Sequence, residues 1–268
     1  YRGSIVPDEQ ALRQIQRDGG RFVSRIIDYS ARPGQAWEMQ EYYHFGSLED
    51  WMRVHAGPVS DDDAREILSE LTDALAHLHK MGIAHRDLKP ANILLRSDSP
   101  IELVLTDFGL ARANQEVTHA TTGVKGTWQY AAPEIYDGKS TMGSDWFSLG
   151  SIMYELITGF KLFSNPDGSE MPPNRIMYTC LSGNYPTNKV ENLRWRMLIE
   201  GLLVKDYHRR WGSLQIEKWL AGESLEALES SETLKAFSYA PKWCDRLAKT
   251  PQDFVRLMCE HWDDAASA

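Results

Sequence analysis

Cysteine is scarce in this 268-residue sequence. The three present, Cys180, Cys244 and Cys259, have no metal-ligand spacing, and an odd number argues against a disulfide framework. A reducing, cytoplasmic setting is therefore expected. No apolar run approaches the length of a membrane span, and no charged-then-apolar segment of the secretory type opens the chain, so no membrane partner is expected. Positive charge is in deficit: 29 Lys and Arg against 38 Asp and Glu leave a formal charge of −9. Binding along nucleic-acid phosphates needs a basic face, so no nucleic-acid partner is expected either. Internal repeats and low-complexity tracts are absent. Two local absences are more informative: the only glycine before Gly19 is Gly3, and no lysine precedes Lys80. Hydrophobic residues at 42% and charged residues at 25% are ordinary for a globular chain, long enough for one large domain or two small ones.

What is present is concentrated between Ala84 and Glu134. The chain reads AHRDLKPANILL, then LVLTDFGLA, then GTWQYAAPEI. His85-Arg86-Asp87-Leu88-Lys89-Pro90-Ala91-Asn92 matches H-R-D-L-x-x-x-N, Asp107-Phe108-Gly109 matches D-F-G, and Ala132-Pro133-Glu134 matches A-P-E. One such triplet alone has little weight, because three ordinary residues recur by chance. The ordered set is a different matter. The chain resembles the eukaryotic-type protein kinase family over roughly residues 5–220.

The resemblance implies specific chemistry. Phosphoryl transfer asks for in-line positioning and for stabilisation of charge on phosphate oxygens. Asp87 occupies the position of the carboxylate that orients the acceptor hydroxyl and takes its proton, and Lys89 that of the ammonium beside the transferring phosphate. Asn92 and Asp107 supply hard oxygen ligands of the kind magnesium prefers, acting through the phosphates of ATP. The apolar runs Ile93-Leu94-Leu95 and Leu103-Val104-Leu105 read as short buried strands holding this loop, and the resemblance makes Leu94 the floor beneath the adenine ring. Singly, Asp87 would be read as a surface carboxylate and Asn92 as a turn former; the joint pattern overrides both. His85 is read as a packing residue beneath Phe108 rather than as a catalyst.

Helices are legible around this centre. Ser60 is an N-cap with Asp63 at the third helical position; Ile67, Leu68, Leu71, Ala74, Leu75 and Leu78 recur at helical spacing until Gly82. A second helix, about 143–158, is apolar nearly all round and so buried, and others are expected over 174–181, 191–203 and 214–221. By resemblance Asp145 holds the catalytic-loop backbone. Counting from Asp206, Arg210 is the partner of Glu134, with Arg209 the alternative because Tyr207 replaces the usual proline.

The amino-terminal end departs from the family pattern. Residues 8–17 resemble the regulatory helix of the small lobe, with Glu9 as its glutamate; an acidic residue favoured by the helix dipole is the competing reading. Residues 21–28 read as a strand and 36–43 as the strand entering the hinge. Aligning Glu41-Tyr42-Tyr43 with that hinge makes Gln40 the gatekeeper and Glu41 and Tyr43 nucleotide-binding residues. No glycine-rich loop and no strand lysine occur. The chain is therefore expected to be a portion of a larger polypeptide, inactive as these residues alone.

The expected fold is α+β and protein-kinase-like: residues 1–43 an incomplete small β lobe, 44–221 a mainly helical large lobe, and 222–268 a linker and helical extension, with an amphipathic helix over 251–265. Lys89, and Gly126-Thr127 ahead of Tyr130, suit serine or threonine acceptors, and Thr127 would shape the substrate-binding loop. The expected activity is a Ser/Thr protein kinase using ATP and Mg2+ on a protein substrate. A pseudokinase scaffold is the rival, weakened because Asp87, Asn92 and Asp107 are all present. A small-molecule phosphotransferase is disfavoured by Lys89-Pro90 and by A-P-E. Arg86 beside Asp87 is expected to clamp a phosphate on Thr118, Thr121 or Thr122, with the latter two preferred.

Overall fold

The computed structural model describes residues 9–30, 37–108, 112–113 and 128–223. The chain divides into two compact units, Tyr1–Leu228 and Glu229–Ala268, and all the described residues fall in the first. The linker and helical extension expected beyond residue 222 therefore lie, past Glu223, outside the described residues.

Helix α1 (Glu9–Asp18) is stopped by the Gly19-Gly20 pair, where the Gly19 N–H bonds to the Ile15 carbonyl at 2.7 Å. The strand expected over 21–28 starts later. Gly20–Phe22 form a 3-10 turn, and the next residues run beside Leu105: Val23 bridges it, and the Ser24 N–H donates to its carbonyl at 2.8 Å. The Gln16 carboxamide then caps this stretch, giving Nε2 to the Ser24 carbonyl and accepting the Ile26 N–H, both at 2.8 Å. With those backbone groups taken, strand β1 (Ile26–Ser30) begins only at Ile26 and pairs antiparallel with β2 (Trp37–Gln40). The expected strand over 36–43 is likewise shorter, since pairing ends at Gln40 opposite Ile26.

Helix α2 (Leu48–His55) opens with a reciprocal capping box between Ser47 and Asp50. Helix α3 (Asp61–Lys80) starts at Ser60, whose hydroxyl accepts the Asp63 N–H at 3.1 Å. Three aspartates fill its first turn and two histidines and a lysine its last, matching the helix dipole at both ends. Its apolar row is fully buried, each leucine contributing roughly 1.5–3 kcal/mol. After Gly82 (φ +75°) come strands β3 (Ile83–Ala84), β4 (Ile93–Asp98), β5 (Ile101–Leu105) and β6 (Arg112–Ala113). They form two antiparallel pairs, β3 with β6 and β4 with β5.

The remaining helices are α4 (Pro133–Tyr136), α5 (Met142–Thr158), α6 (Pro173–Ser182), α7 (Leu193–Leu202) and α8 (Ser213–Leu220). Helix α5 is buried on nearly every face and packs on α3 and α7. Close approach of α7 to its neighbours needs glycine: a Cβ on Gly150 would come within 2.8 Å of Leu202, and one on Gly201 would strike the Trp211 ring. Tryptophans fill the seams. Trp195 donates to Asp61 at 2.5 Å and lies against Trp219, tying the start of α3 to α7 and α8. Among the described residues no helix is long and apolar enough to cross a membrane.

Candidate active site

The loop His85–Asn92 joins β3 to β4, and β5 leads straight to Asp107. The register of the hairpin brings the two segments together: Ile93 faces Leu105, and the Thr106 N–H donates to the Asn92 carbonyl at 3.0 Å. Asn92 and Asp107 therefore leave the same end of one strand pair, although they are far apart in sequence.

The loop backbone is held from beneath by α5. Asp145, fully buried, accepts the His85 N–H at 2.9 Å on one carboxylate oxygen and the Arg86 N–H at 2.8 Å on the other. His79, from the end of α3, adds its Nε2–H at 2.8 Å. Burial pushes the Asp145 carboxyl upward; the hydrogen bond and charge of His79, the nearby His85 and the Arg86 N–H outweigh it, and the group stays below its ordinary value. This support falls where it is needed, because Arg86 has φ +70°, a conformation that costs a non-glycine residue about 1–2 kcal/mol. His85 is buried, donates Nε2–H to the Thr106 carbonyl at 3.0 Å, and lies 5.0 Å from the Phe108 ring centre.

Asp87 is buried, and its two oxygens differ. Oδ2 accepts the Lys89 ammonium at 2.7 Å and the Asn92 amide at 3.0 Å, while Oδ1 has no hydrogen-bond partner. Asn92 also donates to the Asp87 main-chain carbonyl at 2.8 Å. Its amide nitrogen is thus committed to Asp87, which leaves the amide oxygen as its cation-binding group. Asp107 is half-buried with φ +60°. Among the described residues no three His, Cys, Asp or Glu side chains gather into a metal-binding group. A pair such as Asn92 and Asp107 fits a magnesium ion that takes the rest of its oxygens from phosphate and water.

Among the residues expected at the nucleotide, Gln40 ends β2 and Glu41 follows it, exposed, with its N–H bonded to the Arg25 carbonyl at 2.9 Å. Tyr43 is buried, its hydroxyl a long 3.5 Å from the Glu41 carboxylate. Leu94 is half-buried in β4, opposite Val104 and bridged to Ser47. Glu9 is the first residue of α1, and its side chain lies outside the described set. Gly109, Thr118, Thr121, Thr122 and Thr127 also lie outside the described residues.

Glu134 and Arg210 meet in a buried bidentate pair, at 2.7 and 2.9 Å. The remaining guanidinium N–H groups reach the carbonyls of Val204, Gly143 and Lys205, and the Ser144 hydroxyl donates to Glu134. Arg210, not the alternative Arg209, is the partner found. Nearby, Tyr130 donates its hydroxyl to Glu155 of α5 at 2.6 Å. Sequence reasoning missed His79, Tyr130–Glu155, and the contacts of Thr106 with Ser24 and Gln40. The available signals were position alone: His79 sits just ahead of the loop, and Thr106 immediately before Asp107.

The protein kinase domain family matches residues 5–220. The serine/threonine-protein kinase AtPK1/AtPK6 of Arabidopsis thaliana is 35% identical over 191 residues, 68% of this chain and 39% of that protein. The serine/threonine-protein kinase Sgk1 of Rattus norvegicus is 40% identical over 151 residues, 56% of this chain and 33% of that protein. The chain thus spans well under half the length of these relatives. A crystal structure of the Rad53 kinase domain and SCD2 superposes with a TM-score of 0.65 at 26% identity, covering 79% of this chain and 76% of that one.

Proposed function

This chain belongs to the protein kinase domain family, and on that premise we propose that the full-length protein transfers the terminal phosphate of ATP to serine or threonine hydroxyls of protein substrates, with magnesium as its metal. One observation carries the reading. In the loop HRDLKPAN, the buried Asp87 keeps Oδ1 unpartnered while Lys89 and Asn92 pin Oδ2. A buried carboxylate oxygen without a donor is costly unless a donor arrives with the substrate.

In this reading Asp87 Oδ1 accepts the hydrogen bond of the incoming hydroxyl, aims its oxygen and takes its proton. Lys89, already bonded to the other oxygen, keeps the carboxylate oriented and brings positive charge toward the transferring group. The Asn92 amide oxygen and the Asp107 carboxylate would hold magnesium, which supplies charge neutralisation at the phosphates when bound. Leu94, Glu41 and Tyr43 receive the nucleotide base, and Thr127 shapes the acceptor side. The serine/threonine class is supported by Lys89, by Gly126-Thr127, and by the names of the relatives.

The test is made on the full-length protein. Asp87→Asn is expected to lower turnover about 10²–10⁴-fold with little change in nucleotide affinity, as for loss of a general base. Asp107→Asn is expected instead to weaken magnesium–nucleotide binding. Normal turnover in both variants would overturn the assignment.

A further inference from the structure

Every polar group of Thr106 is engaged, and each bond reaches a different part of the molecule. Its N–H donates to the Asn92 carbonyl at 3.0 Å, and its carbonyl accepts His85 Nε2–H at 3.0 Å. Its hydroxyl donates to Gln40 Oε1 at 2.6 Å and accepts from Ser24 Oγ at 3.1 Å. Gln40 is the last residue of β2, directly ahead of Glu41. Ser24 lies in the stretch that Gln16 ties to α1. The residue immediately before Asp107 is thus fastened on its backbone to the catalytic loop, and through its side chain to the hinge strand and the α1 side.

The next residue explains why such fastening matters. Asp107 has φ +60°, a left-handed conformation that non-glycine residues seldom adopt, although aspartate reaches it more readily than most. One rotation about the bonds joining Thr106 to Asp107 would redirect the carboxylate at the end of the strand pair that Asn92 shares. Backbone bonds of Thr106 to Asn92 and His85 restrict that rotation from one side. The hydroxyl bonds to Gln40 and Ser24 restrict it from the other.

We infer that the Ser24–Thr106–Gln40 hydrogen-bond chain is a positioning device for the Asp107 carboxylate. The inference rests on Asp107 being a metal ligand, as in the proposed function. Thr106 and Gln40 touch neither metal nor phosphate in this role; they act through the Asp107 backbone. The chain also couples the hinge strand to the metal side, because Gln40 Oε1 is the acceptor of the shortest bond in it.

The experiment uses the full-length protein with a non-hydrolysable ATP analogue and titrated magnesium. Thr106→Val keeps the shape and removes the hydroxyl; Gln40→Leu removes its acceptor from the other end, and serves if the first variant does not fold. Each is expected to raise the half-saturating magnesium concentration about five- to tenfold, the worth of one buried hydrogen bond. The double variant is expected to lose little more than either single one, because both break the same bond. Thr106→Ser retains the hydroxyl and is expected to keep the wild-type magnesium response. Without nucleotide or metal, amide hydrogen exchange at Asp107 and Phe108 is expected to quicken in Thr106→Val and not in Thr106→Ser. A wild-type magnesium response and exchange rate in the variants lacking the bond would overturn the inference. An equal loss in Thr106→Ser would do the same. Asp107→Asn separates the two levels: if it leaves the magnesium response intact, the metal role itself fails and the inference with it. If Asp107→Asn loses the response while Thr106→Val and Gln40→Leu do not, only the positioning chain fails.

Discussion

Removing the Arg210 guanidinium tests how the segment ending in Ala132-Pro133-Glu134 is anchored to the helical body. All five N–H groups of Arg210 are used: two on Glu134 at 2.7 and 2.9 Å, and one each on Gly143, Val204 and Lys205 at 2.6, 2.8 and 3.1 Å. The side chain has no exposed surface, and that of Glu134 is only 5% exposed, so solvent cannot replace what is lost. Arg210→Ala leaves a buried carboxylate with the Ser144 hydroxyl and strips three carbonyls of a donor. Breaking one side of such a pair costs about 3–5 kcal/mol. At about 2–4 °C per kcal/mol for a domain of this size, the melting temperature should fall by about 6–20 °C. Arg210→Lys keeps the charge but offers three donors to five acceptor positions without the planar fork, and is expected to fall between the two. Thermal unfolding of the 268-residue chain, followed by circular dichroism, is the measurement. A loss under about 1 kcal/mol, the value of an exposed ion pair, would refute the reasoning by showing that the pair is solvated.

Glu155 makes a pH-dependent case: burial raises its carboxyl above the ordinary value, and the Tyr130 hydroxyl and Lys161 only partly oppose this. The folded state then holds the proton more tightly than the unfolded chain, so the contribution is most favourable below about pH 4.3 and is lost as pH rises through the folded value. Glu155→Gln still accepts the Tyr130 hydroxyl, and should be at least as stable as wild type at pH 7, with the advantage vanishing toward pH 4; a variant less stable at pH 7 alone would contradict this. Phosphate on Thr121 or Thr122, or less favourably Thr118, would add about −1.5 to −2 charge for Arg86 to pair with. Mass spectrometry of the full-length protein should find it, and unchanged activity when Thr118, Thr121 and Thr122 are all replaced by alanine would rule out the expected clamp by Arg86.

How much of this was legible depended on the range of each contact. The loop His85–Asn92 was readable because its chemistry is local, and helix ends such as Ser60 and Gly82 because capping and stopping are local too. The strands near the amino end differ in extent from the sequence expectation for the opposite reason. Nothing in residues 21–28 reveals that Leu105 takes the backbone of Ser24, or that Gln16 reaches across to Ile26. Long-range side-chain contacts were the least legible. Thr106 reaches Gln40 and Ser24, and His79 reaches Asp145, across more than sixty residues in each case. No periodicity marks such partners.

The two strained residues explain why the helical body matters to a loop of a few residues. Arg86 at φ +70° and Asp107 at φ +60° flank the two sides of the site, and the left-handed conformation is unfavourable for the arginine and uncommon for the aspartate. Arg86 is held by a carboxylate on α5 that is fully buried and kept ionised by His79 of α3. Asp107 is preceded by Thr106, held by the loop, by Gln40 of β2 and by Ser24 beside α1 together. His85 joins the systems, since its N–H is bound by Asp145 and its ring N–H by the Thr106 carbonyl. One residue thus touches both supports, through its main chain on the Asp145 side and through its ring on the Thr106 side. None of these bonds uses Asp87 Oδ1, which the proposed function assigns to the acceptor hydroxyl.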